Sequence, residues 1–170
     1  MNTESIYTRA RAWASSLWDA SAPRWTGREG QDRNFRTHVV HPALRDVLLK
    51  RFPGGGISLV DLGCGDGAFL DDPENGELLG SEGVYCGVDV SERLLATARA
   101  RHPEAGAVFV HGDLSDPDTA ERILRIGVTW DAALSVFVVQ EMSEPAPLLD
   151  TLGRILAPGG VALVLTVLPS

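Results

Sequence analysis

Residues 57–69, ISLVDLGCGDGAF, constrain the fold more than any other stretch of the chain. Ile57, Leu59, Val60 and Leu62 make an apolar run of strand length, set off by Gly54, Gly55 and Gly56. A strand that is apolar on both faces belongs inside a sheet covered on both sides, which means a parallel α/β sheet. Gly63, Gly65 and Gly67 follow at alternate positions. Lacking a Cβ, they let the backbone turn sharply and let a ligand approach its N–H groups. Such turns, at the carboxyl end of a first strand, are where nucleotide-like cofactors sit in these sheets.

The ligand class is read from the residues around the turn. Gly63, Gly65 and Ala68 fit the loose dinucleotide pattern G-x-G-x-x-G/A, which keeps an NAD-binding oxidoreductase open. Asp61 argues against it. It lies inside the end of the strand, two residues before the first glycine. A carboxylate there repels a pyrophosphate and suits a cationic ligand that carries an ammonium and a sulfonium. A purely structural glycine turn is the third possibility.

The rest of the chain alternates strands and helices. Residues 84–88 read as a second strand ending in Asp89, which lies 22 residues beyond Gly67. An acidic residue at that distance suits a ribose, because one carboxylate accepts from both vicinal hydroxyls. Its structural alternative is a helix-entry aspartate. Ser91 is placed to cap a helix reaching about Arg101, with Leu94, Leu95 and Ala98 on its buried face. Residues 107–110 form a third strand, closed by His111, Gly112, Asp113 and Leu114. There Asp113 can accept from an adenine amino group, and the Leu114 N–H can donate to the ring. Asp116 and Pro117 open a helix that buries Ala120, Ile123 and Leu124. A fourth strand spans 129–137. A helix face follows in Leu148, Leu149, Leu152, Ile155 and Leu156, stopped by Ala157, Pro158, Gly159 and Gly160. A fifth strand spans 161–168, from Val161 to Leu168. This order predicts a right-handed βαβ sheet.

Upstream, residues 4–18 predict an amphipathic helix, with Ile6, Ala10, Trp13, Ala14 and Leu17 on one face. Trp13, Trp18 and Trp25 are read as packing residues, and 19–34 as a loop. A second helix begins near His41 and Pro42 and carries Leu44, Val47 and Leu48. His38 and His41, three apart, share a helix face, but with no third ligand in view no metal site is expected. Residues 71–76 (DDPENG) are rich in helix breakers, so a short helix at 67–72 followed by a loop or turn at 77–79 is predicted.

At 170 residues the chain suits one structural domain with a real core. Fifteen Lys and Arg against 23 Asp and Glu leave a net charge of −8, with no basic run. Nucleic acid is therefore disfavoured as a partner. No apolar run is long enough to span a membrane, and the N-terminus has no signal-peptide core. Cys64 and Cys86 read as small buried thiols of a reducing cytoplasm.

Five segments in register resemble the class I S-adenosylmethionine-dependent methyltransferases. VDLGCGDGAF resembles their motif I, GVDVS (87–91) the second motif, and HGDLSD (111–116) the third. WDAALSVF (130–137) resembles the fourth, and LAPGGVALVL (156–165) the turn and strand beyond it. The resemblance implies a doubly wound, mostly parallel Rossmann-like sheet of order 3-2-1-4-5. Residues 1–56 would be a helical lid and 57–170 the cofactor core. It implies S-adenosyl-L-methionine as cofactor, S-adenosyl-L-homocysteine as product, and in-line methyl displacement by an O, N or C nucleophile. Asp61, Gly63, Cys64, Gly65 and Gly67 would face the methionine part. Asp89 would hold the ribose and Val90 would cover the adenine. Asp113 and Leu114 would meet the adenine edge, and Ser135 and Val136 would line the methyl side. Tyr7, Arg33 and Asn34 are further pocket candidates. Glu141, His38 and His41 are candidate bases.

The fourth strand lacks the Asn/Asp-Pro-Pro-aromatic signature of many amino-group methylases, which favours a small-molecule acceptor. The family core normally continues past the fifth strand with a helix and two more strands. Ending at Ser170 leaves 161–168 as an apolar edge, to be explained by truncation, a partner chain or a second copy. The rival function is a non-catalytic methyltransferase-like subunit that stabilises a partner.

Overall fold

Strands apolar on both faces need cover on both sides, and the segments between them supply it as helices. The computed structural model describes residues 13–23, 35–103 and 106–167. Within them five parallel strands form one sheet in the order β3-β2-β1-β4-β5, the order that the family resemblance implies. The strands are β1 (Leu59–Leu62), β2 (Tyr85–Asp89), β3 (Ala107–His111), β4 (Trp130–Val136) and β5 (Leu156–Leu165). The helices are α1 (residues 13–23), α2 (His41–Arg51), α3 (Pro73–Leu79), α4 (Glu92–Arg101), α5 (Asp118–Leu124) and α6 (Ala146–Ile155). The chain crosses the sheet between β1 and β4, so the carboxyl end of β1 opens at the topological switch point.

Side-chain alternation divides the core between the two faces. Val60, Leu62, Val88, Trp130 and Ala133 pack against Ile123 of α5 and Leu148, Leu152 and Ile155 of α6. Leu59, Tyr85, Ala132 and Leu134 face the other way, onto Leu48 of α2, Leu78 of α3 and Phe69.

Several local expectations are corrected. β1 begins at Leu59 because the Ile57 N–H donates to the Leu78 carbonyl at 3.0 Å and the Ser58 N–H to Asp131 Oδ2 at 2.9 Å. The Ile57 N–H is therefore tied to the end of α3 and the Ser58 N–H to a side chain of β4, neither to the backbone of a neighbouring strand. The supposed breakers at 71–76 start a helix. Ala68–Asp71 is a 3-10 turn, then Asp72 accepts the Glu74 N–H at 3.0 Å as N-cap of α3 and Pro73 takes the first turn. Asn75 is fully buried and donates to the Phe69 carbonyl at 2.7 Å.

Residues 4–12 of the helix expected over 4–18 lie outside the described residues; from 13 on the helix continues through residue 23, and Trp13 and Leu17 are exposed rather than packed. The reason is that α1 docks through polar contacts, with Ser15 and Asp19 bonded to the loop after β2. Ile6, Tyr7, Ala10, Trp25, Arg33 and Asn34 lie outside the described residues. Val47, Leu124 and Leu149 sit on the outer sides of their helices, exposed.

The Ala157–Gly160 stretch is a bulge within β5, not a turn before it: Leu156 pairs with Trp130, and pairing resumes at Val161 with Ala132. Gly159, at φ +82, fits a conformation that a side chain would strain, and Arg51 donates to its carbonyl at 2.8 Å. β5 thus runs from 156 to 165, earlier than the expected 161–168. No helix among the described residues is long and apolar enough to cross a membrane.

Candidate active site

The glycine turn is held from several directions. Gly63, Gly65 and Gly67 all have φ between +58° and +85°, which L side chains rarely adopt. A Cβ on Gly63 would sit 2.3 Å from Val138 Cγ2, whereas nothing lies within 4 Å of the corresponding point on Gly65. The turn is closed on one side and open at its centre. Asp66 is 2% exposed, and its carboxylate pairs with Arg101 at 2.8 Å. Arg101 also binds the Asp66 carbonyl and Asp71, so one guanidinium from α4 ties the turn to the 3-10 segment after it.

Two acidic residues flank the turn. Asp89 accepts the Gly65 N–H at 2.8 Å and the Ser91 N–H at 2.9 Å, one on each oxygen. Burial raises its pKa, and those N–H bonds oppose the rise. Asp61 accepts the Tyr85 hydroxyl at 2.7 Å, and burial pushes its carboxyl up to about 6. The Tyr85 bond and the charge of Arg36 pull the other way.

Asp61 lines a small, partly open cleft. Gly63, Cys64, Phe69 and Val136 help to line it, as do Arg36 and His41. Arg36, missed by the sequence reading, brings the positive charge. It lies in a π turn, Arg36–Val40, that runs into α2. No sequence pattern announces such a turn. Tyr85 and the Asp66–Arg101 pair were missed as well, because each depends on contacts across 24 to 35 residues.

The remaining candidates fall in three places. Val90, Asp113 and Leu114 lie outside the cleft, beyond the ends of β2 and β3. The Val90 carbonyl accepts the Ser15 hydroxyl at 3.1 Å and lies 3.0 Å from His111 Nε2. Asp113 accepts the Ser115 N–H at 2.8 Å, and the Leu114 side chain is in the core. On β4, Leu134 and Val136 face the cleft. Ser135 is fully buried, and its hydroxyl has no partner among the described residues. Glu141 and His38 are exposed and do not line the cleft, while His41 does. The π turn thus separates the two histidines expected on one face. Among the described residues no group of three or more His, Cys, Asp or Glu could hold a metal. Both cysteines are free and buried, and burial raises both thiols.

Residues 60–162, which carry the glycine turn and the carboxylates of Asp61 and Asp89, match a family model described as "Methyltransferase domain". The chain belongs to the class I S-adenosylmethionine-dependent methyltransferases. It is 33% identical to a ubiquinone biosynthesis O-methyltransferase of Caulobacter sp. strain K31, over 76% of the chain and 53% of that relative. The chain therefore spans about half the length of that curated relative. Among solved structures, a Mesorhizobium loti S-adenosylmethionine-dependent methyltransferase is 30% identical, with a TM-score of 0.55 over 72% of the chain and 50% of its own. A chain from the complex of the Haloferax volcanii Trm112 methyltransferase activator with a methyltransferase is 25% identical. Its TM-score is 0.59, over 86% of this chain and 58% of that one. Membership of this methyltransferase family sets aside the NAD-binding oxidoreductase.

Proposed function

We propose that the chain is the cofactor-binding core of an enzyme that methylates an O, N or C nucleophile of a small-molecule acceptor. The ubiquinone biosynthesis O-methyltransferase relatives favour oxygen. The observation that carries the reading is the opposed charge in one cleft, Arg36 against Asp61, beside a glycine turn whose centre is open. That pair suits the carboxylate and ammonium of the cofactor's amino-acid end. Asp89 keeps lone pairs for the ribose hydroxyls beyond the two N–H bonds it already accepts. Val90 covers the adenine, and Asp113 with the Leu114 N–H meets its edge.

When bound, S-adenosylmethionine supplies an electrophilic methyl on a sulfonium, and transfer leaves S-adenosylhomocysteine. The chain's own residues align the reactants and exclude water, which contributes roughly 7–11 kcal/mol in favourable cases. The acceptor enters past Val136. Phe137 follows there at φ +59, its ring 6.5 Å from that of the exposed Phe35. A bulky residue in that conformation is strained, and such strain clusters at ligand sites. Glu141 and His38, exposed outside the cleft, are poorly placed as bases.

In this reading residues 1–56 act as a lid over the core of 57–170, in the cytoplasm. The open edge of β5 pairs with a second copy or a partner chain. The non-catalytic subunit is the weaker reading, since a scaffold has no use for Arg36, Asp61 and Asp89 in this arrangement.

The test is calorimetric titration of the chain with S-adenosylmethionine, S-adenosylhomocysteine and NAD, with Asp89→Ala alongside. Micromolar binding of both adenosyl ligands, weakened at least a hundredfold in the variant, is expected. A folded chain that binds NAD alone, or nothing, would overturn the reading.

A further inference from the structure

Arg36 and His41 stand five residues apart, and the His41 N–H donates to the Arg36 carbonyl. In a regular α-helix residues five apart point about 140° away from each other. A turn closed from i to i+5 rotates less per residue and brings the two towards one face. Both side chains accordingly line the cleft that holds Asp61. The π turn is thus the device that delivers them together, and such turns are frequent at functional sites.

His41 has the marks of a residue waiting for a ligand. It is 5% exposed, with its ring centroid 5.3 Å from that of Phe69 in an edge-on contact. Its Nδ1 is buried and has no hydrogen-bond partner among the described residues. Buried polar atoms without partners are uncommon. Burial and the charge of Arg36 lower its pKa to about 4, so the ring is neutral, with one N–H and one lone pair to offer. A neutral ring adds a hydrogen bond without adding charge. The cleft then presents one cation, Arg36, and one anion, Asp61, with a neutral polar group beside them.

We propose that His41 is a ligand-binding residue for the amino-acid end of the cofactor, completing with Arg36 and Asp61 a three-point site for a zwitterionic α-amino acid group. The proposal rests on the cofactor reading above.

The experiment titrates the 170-residue chain, His41→Leu and His41→Gln with S-adenosylhomocysteine and with 5′-methylthioadenosine, which lacks the amino-acid end. His41→Leu should weaken S-adenosylhomocysteine about tenfold, equivalent to about 1.4 kcal/mol, and leave 5′-methylthioadenosine unchanged. His41→Gln should recover most of the loss. Unchanged S-adenosylhomocysteine affinity in a folded His41→Leu overturns the proposal, as does equal loss of both ligands. If His41→Leu does not fold, nitrogen-15 NMR of the His41 ring in the unmodified chain decides. S-adenosylhomocysteine must shift Nδ1 and 5′-methylthioadenosine must not, and no shift overturns the proposal. A chain that binds neither ligand brings down the cofactor reading and this one with it. A chain that binds both ligands, with His41→Leu indifferent, brings down this one alone.

Discussion

Asp61 couples the stability of the fold to pH. Its carboxyl is buried and pushed up to about 6, against an ordinary value of 3.8. An acid that holds its proton more tightly folded than unfolded stabilises the fold fully at low pH. That contribution is lost as pH rises from about 4 to about 6, and stability is flat beyond. The loss is on the order of 3 kcal/mol. Asp61→Asn keeps an acceptor for the Tyr85 hydroxyl and removes the titration, so urea melts across this window should lose the fall seen in the parent. In the proposed reading the same carboxyl meets the ammonium of the ligand. A cationic ammonium needs Asp61 ionised, so S-adenosylhomocysteine should bind with release of a proton below pH 6, and its affinity should drop towards tenfold per unit. Identical pH profiles for parent and variant would show that Asp61 does not govern either effect.

At the scale of elements, the site depends on how helices fasten to strand ends. α4 reaches back through Arg101 to Asp66 and Asp71, and α1 reaches down through Asp19 to the Ser91 hydroxyl and, at 3.1 Å, the Arg93 N–H. Arg101→Met leaves Asp66 buried without that cation. Breaking a fully buried pair costs about 3–5 kcal/mol; the guanidinium here is 28% exposed, so about 2 kcal/mol is expected. For a chain of this size that lowers Tm by about 4–8 °C. Cofactor affinity should fall as well, because the glycine turn loses its tether. A thermal melt and a titration check the two effects separately, and an unchanged melt would mean that Asp66 finds its compensation elsewhere.

At the scale of the whole molecule, β5 pairs with β4 on one side and stands at the edge of the described sheet. Val164 on this strand and Val167 just past its end are 42% and 56% exposed. An apolar edge with open backbone groups recruits another strand. Light scattering after size exclusion should therefore show association that grows with concentration, and Val164→Lys should suppress it. A single monomeric species at every concentration, with a cooperative melt, would sink the idea that this edge needs cover.

The chain's own pattern was enough to determine the alternation of strands with helices and the positions of Asp61, Asp89 and the glycine turn, while the order of the strands in the sheet came from the family resemblance. The alternation and those positions follow from local rules: apolar runs of strand length, turn residues at their ends, and helices between them. Asp72 and Pro73 show where local rules mislead, since the residues that break a helix from within also begin one. The content of the cleft was decided only in three dimensions. Arg36 and His41 meet because a π turn replaces an α turn, Tyr85 reaches Asp61 across the β1–β2 register, and Arg101 reaches Asp66 from the far end of α4. Each of these contacts depends on register and rotation that packing sets between distant segments, and residue spacing within one segment carries no record of them.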